Sequence, residues 1–118
     1  MATPTDPSFR ERLLALADKY AAALPERLDA VEQGLEGCLS GNPTTAQLEA
    51  LHHALHTIAG SAGSFGFKLL GEQARRLEQG LRAMLEQGAP WGNTTSDIRE
   101  FLEWARRDPR SATYPAHD

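Results

Sequence analysis

The segment from Thr44 to Phe67, TTAQLEALHHALHTIAGSAGSFGF, constrains the fold more than any other. Along it Leu48, Leu51, Leu55, Ile58, Ala62 and Phe65 advance by three, four, three, four and three residues. A helix gathers such positions on one buried stripe, whereas a strand needs alternation by two. At roughly 100° per residue, His56 falls about 140° from the centre of that stripe, so its imidazole is expected to face water. The residues three, four and seven positions after it, Ala59, Gly60 and Gly63, share its side of the helix. The histidine thus stands on a patch almost bare of side chains. Each glycine inside a helix costs about 1 kcal/mol relative to alanine, so the bare patch needs a use. Close approach by another molecule supplies one.

The flanking segments keep the helical period. Asp6 reads as an N-cap with Pro7 at the first helical position, and Phe9, Leu13, Leu16, Leu24, Leu28, Val31 and Leu35 carry the pattern to about Leu39. Pro25 crowds the carbonyl of Ala21 and predicts a kink or two abutting helices. Ser40 to Pro43 forms a turn with Gly41 as helix stop. Thr44 and Gln47 have capping-box spacing, and the second helix is expected to end near Ser64 or Phe65, with Gly66 as breaker. Leu70, Ala74, Leu77, Leu81, Met84 and Leu85 form a third stripe, stopped by Gly88 and Pro90. Thr94 or Thr95 then caps a last helix whose apolar side is Ile98, Phe101, Leu102 and Ala105, closed by Asp108-Pro109. One valine and two isoleucines leave little material for strands. The expectation is an all-α domain over residues 7–107, an antiparallel up-down four-helix bundle, with 1–6 and 108–118 as flexible, unpacked tails.

Composition excludes several classes of function. A formal charge of −4 disfavours nucleic-acid binding, which shows a basic excess on one face. No 18-residue apolar run exists to span a membrane, and MATPTDPSFRER lacks the apolar core of a secretory signal. Cys38, the single cysteine, has no partner for an internal disulfide and reads as a small apolar residue of a cytoplasmic protein. GSAGSFG follows no strand and has no Gly-Lys-Ser/Thr, so it is not a nucleotide loop.

The run HTIAGSAGSFGF, residues 56–67, resembles the phosphorylation motif of histidine-containing phosphotransfer (HPt) domains, roughly His-x-hydrophobic-Lys-Gly-Ser-x-x-x-x-Gly followed by a helix with a Leu-Glu pair. His56, Ile58, Gly60, Ser61 and Gly66 match, as do Ala74, Leu77 and Glu78 further on. The resemblance implies a phosphorelay carrier, not an enzyme in its own right. His56 would take a phosphoryl group from the aspartate of a receiver domain and pass it to another, with a hybrid histidine kinase as a further partner. The receiver would bring the Mg²⁺, this chain would need no cofactor, and it would act as a monomer. Glu78 would hydrogen-bond the non-reacting ring nitrogen, while Ala59, Gly60, Ser61 and Gly63 complete the neighbourhood. The family's lysine is replaced by Ala59; Lys68 could supply the charge instead, with Arg75 and Arg76 behind it.

The residues themselves agree with such chemistry. Free imidazole, with a pKa of about 6.5, is a largely neutral nucleophile at cytosolic pH. Phosphoryl transfer asks the protein mainly for positioning and charge neutralisation. Other readings stand beside it. Glu78 has Arg75 at i−3 and Arg82 at i+4 and could be a surface carboxylate paired with either. His52 and His56 have the i, i+4 spacing of metal ligands, without an evident third. His53 is expected to face solvent, and His117 lies in the tail. A bundle that docks a receiver or kinase without accepting phosphate is a further alternative, with Ala59 as its support. Phe9, Leu13 and Leu16 could form the apolar part of a docking face.

Overall fold

The computed structural model describes residues 7–115, and these residues form helices and no strand. The order is α1 (Pro7–Cys38), α2 (Thr45–Ser61), a 3-10 turn (Ala62–Phe65), α3 (Lys68–Gln87) and α4 (Thr94–Arg107). The expected cap at Asp6 and His117 lie outside the described residues. None of the described helices is long and apolar enough to cross a membrane.

Helix α1 runs through Pro25 as one element, so the chain is not divided there into two abutting helices. The proline is exposed, while Tyr20, Leu24, Leu28, Val31 and Leu35 on the opposite side are buried. Burial of a Leu or Val side chain is worth about 1.5–3 kcal/mol, and several together outweigh the bond that proline removes. Cys38, at the end of this stripe, is buried, and desolvation pushes its thiol up from the ordinary value. The N-terminal part of α1 behaves differently: Leu13 and Leu16 are about half exposed and Phe9 only partly covered.

The capping box at the start of α2 forms as its spacing predicts. Thr44 Oγ1 accepts from the Gln47 amide at 3.1 Å, and Gln47 Oε1 accepts from the Thr44 amide at 2.8 Å. The far end tightens into the 3-10 turn before Gly66, whose φ of 89° is left-handed and suits glycine. Asn93, and not Thr94 or Thr95, holds the N-cap position of helix α4, without a side-chain capping bond. Both threonine hydroxyls are committed to Trp91, that of Thr94 donating to its carbonyl and that of Thr95 accepting from its indole.

Along α1 and α2, Gly34 lies opposite Leu51 and Tyr20 opposite Ser61, so advancing on one helix means retreating on the other. A Cβ on Gly34 would stand 3.0 Å from the Leu51 Cα, so the two backbones come close there. Gly34→Val is therefore expected to destabilise the fold by about 1–3 kcal/mol through overpacking. A urea melt reads this directly, and an unchanged midpoint would show that the helices separate freely there. Helix α4 packs on α1 through Arg106, which bonds Asp29 at 2.9 Å and Glu32 at 3.1 Å. The guanidinium, first by hydrogen bond and then by charge, holds the Glu32 carboxyl below its usual range. Phe101, Leu102, Trp104 and Ile98 fill the core from this side.

Residues 108–115 carry no helix and are largely exposed, yet several of them touch the bundle. Buried Trp104 needs an acceptor for its indole N–H, and the Thr113 carbonyl provides one at 2.8 Å. Tyr114 meets the Trp104 ring edge-on with centroids 4.8 Å apart, and burial pushes its hydroxyl up. Arg110 bonds Asp18 at 3.2 Å and lies 5.2 Å from the Phe67 ring centroid.

Candidate functional site

Helices α2 and α3 are packed side by side, and the seam between them places the histidine. Gly71 permits this: a Cβ there would already stand 3.4 Å from the Ala62 Cβ and from the Gly63 amide nitrogen. Two turns further along α3, Glu78 comes level with His56.

The His56 side chain is 57% exposed, as its angular position requires, and that of Glu78 only 4%. His56 Nδ1 lies 2.6 Å from Glu78 Oε1. A carboxylate only accepts, so Nδ1 carries the ring proton and donates it. Nε2 is then the nitrogen with a free lone pair. Glu78 Oε1 also accepts from Arg82 Nη2 at 3.1 Å. His52 Nε2 stands 3.3 Å from the same oxygen, at ion-pairing distance but off the line of a hydrogen bond. The His52 and His56 rings lie nearly parallel, with centroids 5.9 Å apart. One buried carboxylate oxygen thus faces three nitrogen-bearing side chains, and among the described residues Glu78 is the buried charged side chain of the core. Burial of a charge without partners is costly, and these partners offset that cost.

The other residues singled out in the sequence divide into two groups. Gly60 and Gly63 are exposed, and a Cβ on either would meet nothing within 4 Å. The surface beside His56 is therefore open. Ala59, expected on the same open patch, is instead buried in the core, and Arg75 reaches across from α3 so that its Nη2 donates to the Ala59 carbonyl at 3.2 Å. Ser61 is turned to the other seam, where its Oγ bonds the Tyr20 hydroxyl at 2.8 Å and donates to the Thr57 carbonyl at 2.7 Å. Lys68 is exposed at the start of α3, ten residues and about 15 Å along the axis from Glu78. Neither Ser61 nor Lys68 is brought to the ring.

The alternative of a surface Glu78 paired with Arg75 or Arg82 resolves into a buried Glu78 bonded to Arg82 and to His56 together. His52 is half-buried against this carboxylate, and His53 is exposed on the α1 side of α2. Among the described residues no group of three or more His, Cys, Asp or Glu is placed to hold a metal ion. Tyr20 and Arg27, which tie Ser61 to α1, went unnoticed in the sequence. Tyr20 had a signal, since it precedes Leu24 by four and so lies on the α1 stripe.

The described residues thus form four helices that expose the His56 imidazole while Glu78, from the neighbouring helix, holds its Nδ1. The family model described as Hpt domain matches residues 15–107, and the chain belongs to that family. Members are phosphotransfer intermediates of two-component phosphorelays that work with receiver domains and kinases. No curated protein and no solved structure matches the chain.

Proposed function

We propose that this protein relays a phosphoryl group between receiver aspartates through His56 Nε2. The observation that carries the reading is the pairing of an exposed ring with a buried carboxylate at 2.6 Å. With the proton fixed on Nδ1, the Nε2 lone pair attacks the phosphorus of an aspartyl phosphate. The N–P bond forms as the P–O bond to the aspartate breaks, and the freed carboxylate keeps the bonding pair. The Nδ1 proton remains between the ring and Glu78, which offsets the positive charge developing on the phosphorylated imidazole. Attack by a second receiver's carboxylate reverses the sequence. Gly60 and Gly63 let the partner's acidic pocket, with its own Mg²⁺, come against the ring. Arg82, held on Glu78, adds positive charge to the same neighbourhood.

The protein acts in this reading as a monomeric intermediate in the reducing cytoplasm, not as an enzyme with its own substrate or cofactor. The opposed contact order of α1 with α2, and of α2 with α3, supports an antiparallel up-down arrangement of the bundle. Incubation of native protein and His56→Gln with a phosphorylated receiver tests the site. Acid-labile label is expected on the native chain and absent from the variant; label retained by the variant excludes His56 as acceptor.

A further inference from the structure

We infer that Arg75, reaching over from α3, is the phosphoryl-facing cation of this site, in the place that Ala59 leaves without a charge. This rests on His56 as the phosphoacceptor. Phosphorylation puts up to two negative charges on a ring whose nearest fixed charge, the Glu78 carboxylate, is itself negative. Some cation must face the new group, and the candidates differ in placement.

Arg75 sits three residues from Glu78, about 4.5 Å along α3, and its guanidinium lies on the Ala59 carbonyl, one turn beyond His56 on α2. That contact is with a neutral oxygen, so it positions the guanidinium without cancelling its charge. Ala59 itself is buried and carries no charge that could compete with the arginine. Gly60, next to this carbonyl, carries no side chain to screen the arginine from the ring. Arg82 lies one turn the other way along α3, and its guanidinium already serves the Glu78 carboxylate at 3.1 Å. Arg76 is turned away to Gln73, at 3.0 Å, and to the Tyr114 ring. Lys68 stands about 15 Å along the helix from Glu78, beyond the screening distance of about 8 Å at physiological salt. A guanidinium adds donors in a planar fork suited to phosphate oxygens, so one nitrogen can keep the carbonyl while another turns to the phosphoryl group.

The test uses phosphoramidate, which phosphorylates histidine directly with release of ammonia and needs no partner protein. The ³¹P resonance of the phosphorylated full chain is followed against pH for native protein, Arg75→Ala, Arg75→Lys and Lys68→Ala. A nearby cation favours the dianion, so Arg75→Ala is expected to raise the titration midpoint of the phosphoryl group by about half a pH unit at low salt. Arg75→Lys is expected to restore most of this, and Lys68→Ala to match native protein. Added salt should shrink the Arg75→Ala difference, which a merely structural change would not predict. A midpoint unmoved in Arg75→Ala, or moved equally in Lys68→Ala, overturns the assignment and leaves His56 as acceptor. Absence of phosphoramidate label on native His56 removes the acceptor and this assignment together.

Discussion

Replacing Glu78 by leucine is expected to slow phosphorylation of His56 by roughly 10- to 100-fold while the helices stay assembled. The carboxylate does two things for the ring. It fixes the proton on Nδ1, and it holds the imidazole plane at 2.6 Å so that Nε2 points outward. Without it the exposed ring divides its time among rotamers and between two tautomers, and an in-line attack finds the lone pair correctly aimed only part of the time. Leucine fits the site in volume and suits its burial. Arg82 and His56, both more than half exposed, regain water when the carboxylate is lost. Glu78→Gln is the informative companion. Its amide oxygen still accepts from Nδ1 but no longer offsets the positive charge of the phosphorylated ring, so an intermediate rate is expected. Initial rates with a small phosphoryl donor, compared with thermal melts of each variant, check this. A leucine variant as fast as native protein would remove Glu78 from the mechanism.

The second large effect falls on Gly60 and separates chemistry from docking. A Cβ at this position meets nothing within 4 Å, and glycine in a helix interior costs about 1 kcal/mol relative to alanine. Gly60→Leu is therefore expected to leave the fold at least as stable as native. Labelling of His56 by phosphoramidate should stay within about twofold, because that reagent is small. Transfer from a phosphorylated receiver should fall by about 100-fold or more, because close backbone approach is lost and a misplacement of about 1 Å already costs that much. Measuring both donors on one preparation makes the result decisive: equal losses with the two would mean that the glycine matters to the ring and not to the partner.

The features legible in the sequence were those set by local periodicity and caps. Leu51, Leu55 and Ile58 on α2, Ala62 just after it, and Leu70, Ala74, Leu77 and Leu81 on α3 are buried in the register their spacing implies. The Thr44–Gln47 box and the Gly66 and Gly88 stops follow from side-chain reach and positive φ. The exposure of His56 was readable for the same reason, being an angle on one helix. What escaped depends on a second helix. The continuity of α1 through Pro25 is settled by the packing of Tyr20, Leu24 and Leu28 on distant residues, which outweighs a local preference. Ser61 matched a motif position, yet whether it faces the ring or α1 depends on Tyr20, 41 residues away. Arg75 stood as one of several cations until the position of α3 against Ala59 distinguished it. The segment after Asp108 has no period at all, and its contacts with the bundle, the Thr113 carbonyl on the Trp104 indole and Arg110 on Asp18 among them, depend on residues far away in the sequence or on other elements.

The close fit at Gly71 has a consequence for how damage to this molecule will be read. Nucleophile and orienting carboxylate sit on separate rods, so the aim of the imidazole is only as steady as the sliding between them. Two turns from the chemistry, the contact of Gly71 with Ala62 and Gly63 sets that slide. A methyl at Gly71 would only reach ordinary contact, whereas a longer side chain there would register first as a mis-aimed imidazole in a chain that still melts as one unit, so faults in packing will pass for faults in phosphotransfer.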